Sequence, residues 1–308
     1  MKNIAKRSLF VVLCGVLLIS GLTGCSKEEE SAPSEISVSS GEDESSGSAP
    51  FPATACGVRL EKAPEKIVSL SPAATEIICE IGFKEKLVGI SDYCDYPAGL
   101  SAAKVGSTEN PDIDAIVKLQ PDAVFTLSAL SERETYTLNQ ANIAVLTAEP
   151  PKNMEGYSAL YREIAAAFFG KETEDTEKDT RKSVQIGADA RSALEKAAKS
   201  VQLDSFVYVT GKLTAAGADT FESAVLSLSG MNVCGENGYI SLESIESTPK
   251  YIIADNSLTS DDLNADETLS GFIDNGAEIR FVNAALFERP SARTAMIFEQ
   301  LAADENEN

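Results

Sequence analysis

Two α/β lobes of Rossmann-like build, joined by one long backbone helix, are the fold class this 308-residue sequence predicts, and three observations predict it. Short β-rich runs alternate with helix-forming segments up to about residue 150 and again from about residue 203, the pattern of mostly parallel sheets covered on both faces. Between them, residues 155–200 hold no convincing strand and are rich in Ala, Glu and Lys. One unit also occurs twice. "DIDAIVKLQPDAVF" (112–125) and, more loosely, "SLESIESTPKYII" (241–253) align Ile113, Asp114, Ala115, Ile116 and Pro121 with Leu242, Glu243, Ser244, Ile245 and Pro249.

The chain opens on a basic stretch, Lys2, Lys6 and Arg7, followed by the apolar "LFVVLCGVLLISGL" and then "LTGC". The apolar core is short for a membrane span, and small residues before Cys25 fit a processing site whose thiol becomes acylated. Residues 1–24 therefore read as a lipoprotein signal peptide. Residues 25–55 read as a lipid-anchored linker: Ser, Glu, Gly, Ala and Pro dominate it, with almost nothing to bury, so disorder is expected. As a flexible coil about 25 such residues span roughly 25 to 30 Å, which lets a folded domain move over the membrane while its lipid stays embedded in the bilayer.

The first lobe is assigned to residues 56–155. "KIVSLSPAATEIICEIG" gives a buried strand over 67–70 and a helix with Ser71 as N-cap and Pro72 at its first position, closed by Gly82. "KLVGIS" is the next strand, the loop "DYCDYP" follows, then the first copy of the repeated unit as a helix and the strand "AVFTL". A helix near Ser131 to Asn142 and the strand "IAVLTA" complete it. Residues 156–202 form the backbone-helix region, with helix formers nearly uninterrupted from Glu174 to Lys199. Some 25 helical residues make a rod of roughly 38 Å, the scale of a small domain. The second lobe, 203–303, restarts the alternation: strand "SFVYVTG", helix "DTFESAVLSLSG" stopped by Gly230, helix "SLESIEST", strand "YIIAD", a helix near Leu269 to Asn275, strand "EIRFV" and a last helix from Ser291. Residues 304–308 are a tail.

Composition excludes several functions. Removal of residues 1–24 leaves 23 basic against 48 acidic residues, a net charge of −25, which argues against nucleic acid as a partner. There is no histidine, so Ser-His and Cys-His nucleophiles, a His general base and imidazole-ligated zinc are ruled out. Carboxylate-pair glycosidase chemistry passes that filter, but no motif gathers such groups, and no catalytic residue or metal site is assigned. Cys56, Cys79, Cys94 and Cys234 match no zinc spacing. A disulfide among them is permitted outside the cell and its pairing is left open, with Cys79 read as a small core residue.

The segments "KIVSLSPAATEI", "LVGISDYCDYP", "PDIDAIVKLQPDAVF", "SLESIESTPKYII" and "LFERPSAR" resemble the ABC-transporter substrate-binding proteins of the cobalamin and ferric-siderophore class, nearest the cobalamin-binding branch, over about residues 56–303. The resemblance implies the class III periplasmic-binding-protein fold and a non-enzymatic, monomeric receptor on the extracytoplasmic face of the cell membrane. Such a receptor holds its ligand between the lobes and docks on a permease served by an ATPase. It places Asp114 and Glu243, one per lobe, on permease arginines, where charge-assisted pairs would set position and orientation together. It sets Tyr93 and Tyr96 of the loop beside the ligand, Tyr93 in direct contact and Tyr96 also suited to brace the loop. Ala285, Leu286, Phe287, Glu288 and Arg289 line the opposite wall, with Arg289 either donating to ligand oxygens or pairing with Glu288 or a backbone carbonyl. Cobalamin binders carry tryptophans and an acid where this chain has Thr108, Leu127 and Ala285, and Tyr239 offers an aromatic from the second lobe. The implied transported ligand is a corrinoid such as cobalamin, with a ferric siderophore or haem as the alternative; no catalytic cofactor is implied. Two other classes are a surface enzyme using carboxylates and a tethered sensor. The first requires turnover, and the second docks to a signalling partner rather than a permease.

Overall fold

The computed structural model describes residues 50–170 and 181–305, all within one unit, Ser46–Asn308. Cys25, the signal segment, most of the tether and residues 174–180 lie outside the described residues. A hairpin comes first, β1 (Ala53–Ala55) with β2 (Val58–Leu60). Its turn residues Cys56 and Gly57 have φ of 48° and 73°, the left-handed pair that a two-residue hairpin turn needs.

The first lobe runs β3 (Ile67–Ser69), α1 (Pro72–Glu80), β4 (Leu87–Ile90), β5 (Ala103–Lys104), α2 (Ile113–Leu119), β6 (Ala123–Thr126), α3 (Glu132–Gln140) and β7 (Ala144–Thr147). Its sheet is wholly parallel, in the order β5-β4-β3-β6-β7. Ser71 caps α1 as expected, and Ser131 caps α3 in a reciprocal capping box with Glu134.

Next come α4 (Met154–Phe169) and α5 (Arg181–Ala198), packed against one another. The expected long helix is present as α5 over its described part; α4 is an additional helix that the reading did not separate. Its buried positions Met154, Tyr157, Leu160, Tyr161, Ile164, Ala167 and Phe168 recur every three or four residues, and Gly170 ends it at φ 81°. α4 ties the lobes: Phe168 stacks on Phe83 at 4.2 Å, while Tyr157 stacks on Phe221 at 5.8 Å.

The second lobe contains β8 (Asp204–Val209), β9 (Thr214–Ala216), α6 (Phe221–Leu226), β10 (Gly230–Asn232), β11 (Tyr239–Ser241), β12 (Tyr251–Asp255), α7 (Ser260–Ala265), α8 (Glu267–Asp274), β13 (Glu278–Val282), α9 (Ala285–Glu288) and α10 (Met296–Glu305). Its sheet is mixed, in the order β11-β9-β8-β12-β13, with β10 beside the start of β8 and β9 antiparallel. The expected helix over "SLESIEST" is corrected to a single 3₁₀ turn, Leu242–Ser244. The buried pair Leu242 and Ile245 are three residues apart, the spacing at which side chains eclipse in a 3₁₀ turn.

Strand alternation divides the core. Phe206, Tyr208 and Ile253 join Ile67, Phe125 and the α4 side chains in one cluster that continues through both lobes. Val207, Val209 and Ile252 face a second cluster, and Val68 and Val124 a third, on the far sides of the two sheets. A continuous apolar core through the connection opposes hinging, because opening would expose it. Among the described residues no helix is long and apolar enough to cross a membrane.

Candidate ligand-binding site

In the first lobe the strand order reverses at β3, which has β4 on one side and β6 on the other. The crevice beyond the C-terminal ends of such strands is where open α/β sheets take ligands. The residues just past β3 and β6, namely Ser71, Pro72, Leu127 and Ser128, line a cavity of about 510 Å³ there. Its opposite wall comes from the second lobe: Asp219 to Glu222 before and at the start of α6, Gly238 and Tyr239 at β11, and Phe287, Glu288 and Pro290 around α9. A second cavity, about 690 Å³, lies between the β1–β2 turn, the end of β7 and α4, and has no second-lobe wall.

Of the residues expected at the ligand, Thr108, Tyr239, Phe287 and Glu288 line the inter-lobe cavity. Thr108 Oγ1 donates to the Leu70 carbonyl. Tyr239 donates its hydroxyl to Glu222 Oε1 at 2.8 Å. Burial, the Glu222 bond and the nearby Glu288 and Asp219 carboxylates push this phenol well above its ordinary range, so it stays a neutral hydroxyl. Phe287 is buried, edge-on to Tyr208 at 5.1 Å.

The other expected residues are placed elsewhere. Leu286 is 2 % exposed and belongs to the core, because the α9 turn directs it inward. Ala285 begins that turn and donates its N–H to Asn283 Oδ1 at 3.1 Å. Tyr93 and Tyr96 are exposed and outside the cavity lining. Tyr96 carries the Arg293 guanidinium 4.4 Å over its ring, a cation–π contact, consistent with bracing the loop. Arg289 pairs with Asp95 of the "DYCDYP" loop, across the lobes, rather than with Glu288.

That ion pair belongs to a clasp the sequence reading did not anticipate. Glu76, 1 % exposed on α1, accepts from Arg293 Nη1 at 2.9 Å and from Ser291 Oγ. Glu80 accepts from Tyr161 Oη at 2.6 Å and from the Ala292 N–H at 3.2 Å; Tyr157 Oη donates to the Ser291 carbonyl at 2.8 Å. Burial of the Glu80 carboxyl pushes its pKa up although the side chain as a whole reaches solvent, and the Tyr161 and Ala292 bonds oppose that shift. A lone glutamate on an apolar helix face, as in "PAATEIICE", was the available signal, since a buried carboxylate needs a cation.

Cys56, Cys79, Cys94 and Cys234 are all free thiols. Cys94 is buried with its Sγ 3.0 Å from Thr75 Oγ1, and burial pushes its pKa up, a packing role. Among the described residues no group of three or more Cys, Asp or Glu is arranged to hold a metal ion.

Asp114 and Glu243 are both exposed. Each lies in the first turn that follows an edge strand, α2 after β5 and the 3₁₀ turn after β11, and both strands run parallel to the central strand of their sheet. The twin units thus stand at corresponding corners of the two sheets.

Gly217 sets the second-lobe wall, and its close approach makes it a test of the site. A Cβ there would meet the Glu236 carbonyl at 2.2 Å and the Gly238 carbonyl at 2.6 Å. Gly217→Ala is expected to displace residues 236–239, weaken ligand binding severalfold and cost about 1–3 kcal/mol of stability, read by urea denaturation and ligand titration of the same preparation.

A family model described as periplasmic binding protein matches residues 67–276. The chain is 26% identical over 180 residues to an uncharacterized ABC transporter substrate-binding lipoprotein, YvrC, of Bacillus subtilis, covering 56% of this chain and 55% of that protein. It is 34% identical over 87 residues to a vitamin B12-binding protein of Vibrio cholerae, 28% of this chain and 32% of the relative. The matches thus span about half and about a third of these curated relatives. Among solved structures, the periplasmic vitamin B12 binding protein BtuF of Vibrio cholerae superimposes with TM-score 0.58 at 22% identity, covering 78% of this chain and 96% of that one. The periplasmic heme binding protein HutB of Vibrio cholerae gives 0.62 at 16% identity over 78% and 98%. At these identities the structural likeness speaks for the fold.

Proposed function

Because the chain belongs to the periplasmic binding protein family, we propose that it is the solute-binding lipoprotein of an ABC importer, which captures a cobalamin-like corrinoid between its lobes and passes it to the permease. The cavity walled by both lobes at the strand-order reversal carries this reading. A receptor has to enclose and release its ligand unchanged, and this cavity offers apolar Phe287 and Leu127 beside hydroxyl and carboxylate groups. The vitamin B12-binding relative supports the corrinoid as ligand. Cys25 anchors the receptor to the outer face of the membrane, Asp114 and Glu243 dock it on the permease, and a single copy of the chain suffices. Residues 56–155 and 203–303 act as the jaws and 156–202 as the spine. No catalytic step is assigned to it.

A haem or ferric-siderophore ligand is the second reading. The absence of tryptophan and the heme-binding structural neighbour favour it. Titration of the purified protein with a corrinoid, haem and a ferric trihydroxamate separates the two, followed by visible absorbance and tyrosine fluorescence. A saturable spectral change with the corrinoid at micromolar concentration is the expected result. Saturation by haem or the ferric chelate alone would replace the corrinoid.

A further inference from the structure

The cleft carries a charge pattern that bears on its ligand. Four carboxylate side chains line it, Glu109 from the first lobe and Asp219, Glu222 and Glu288 from the second, against the single cation Lys152. Arg289, between the lining residues Glu288 and Pro290, is paired with Asp95. Glu222 is fixed in place by the Tyr239 hydroxyl, and Asp219 by the Gly238 N–H. Carboxylates fixed along the wall of a cleft focus a negative potential into it, and the chain's surplus of acidic residues adds to that field.

We propose that this cleft is a charge filter: it admits ligands whose periphery is cationic or rich in amide N–H donors and rejects those that present carboxylates or another net negative charge. The inference rests on the reading of the cavity as a ligand site and refines it by substrate class. Side-chain amides of a corrinoid can donate to Glu222, Glu288 and Asp219. An anionic chelate or a macrocycle with ionised carboxylates meets like charge at each of them, with no guanidinium among the described lining residues to answer it.

The test uses two scaffolds, each in a cationic and an anionic form. The corrinoid pair is aquacyanocobinamide, bearing amides, and cobyrinic acid, in which those amides are carboxylates. The iron pair is a ferric trihydroxamate with a pendant ammonium and a ferric tris-catecholate trianion. In whichever scaffold binds, the cationic member is expected to bind about tenfold tighter or more at low ionic strength, with the ratio shrinking in 0.5 M salt, a change of solution screening length from tens of ångströms to a few. Glu222→Gln with Glu288→Gln should narrow the ratio about fivefold. Glu85→Gln with Asp274→Asn removes the same charge from exposed turns before the N-terminal ends of β4 and β13, on the side of the sheets away from the cleft, and should leave it unchanged. A ratio near unity, a preferred anion, equal narrowing by the remote pair, or no binding of any probe overturns the filter. Binding of the iron pair alone, sorted by charge, removes the corrinoid reading and leaves the filter standing.

Discussion

Ligand uptake by cells expressing the Asp114→Arg, Glu243→Arg double variant is expected to fall to background, while the purified variant binds ligand with unchanged affinity. Neither carboxylate lines the cavity, so its loss leaves the ligand's contacts intact. Both are exposed, Asp114 in the first turn of α2 and Glu243 in the 3₁₀ turn that directly follows β11. One contact would leave the receptor free to pivot on the permease, whereas two, one on each lobe, fix its orientation as well. Replacing a carboxylate by a guanidinium exchanges a charge-assisted pair for repulsion between like charges, so each substitution is expected to lose more than simple removal. Single variants should transport at reduced rate and the double variant not at all. Transport at the parental rate by the double variant removes these residues from docking.

The parts of the fold that were legible are those whose sequence alone determines their state. Val68, Val124 and Val207 lie in short apolar runs and became central strands, buried on both faces. Glu278–Val282 is a strand with the expected bounds. β5, β9, β10 and β11 are two or three residues long, too short for a period-two pattern, and are defined by the partner they lie beside. The same holds for the cleft. Ser71 and Leu127 become cavity walls once the strand order is known, and nothing in "GADTFES" marks Asp219 and Glu222 as their counterparts. Asp114 and Glu243 could be singled out because the unit repeats. Sequence spacing offers Arg289 the ligand, Glu288 or a nearby backbone carbonyl, whereas the tertiary fold supplies Asp95.

Arg293→Ala is expected to destabilise the protein by about 3–5 kcal/mol, the cost of leaving a buried charge without its partner. The partner is Glu76, 1 % exposed, with Ser291 Oγ as its other donor. The two residues come from opposite lobes, so the loss also loosens the contact that holds "RPSAR" against α1 and the Tyr96 ring. Glu76→Gln leaves the unpaired charge on Arg293, whose side chain is 25% exposed and can recruit water, so a smaller loss follows. Glu76→Leu with Arg293→Met removes both charges and restores an apolar contact, and is expected to recover most of the stability, since a buried pair is often no better than a hydrophobic replacement of similar volume. Urea denaturation of the parent, Glu76→Leu, Arg293→Met and the Glu76→Leu, Arg293→Met double variant closes a double-mutant cycle. A double variant as unstable as the sum of its single changes would mean that Glu76 and Arg293 act independently, and that the shared core through α4, rather than this ion pair, holds the jaws together.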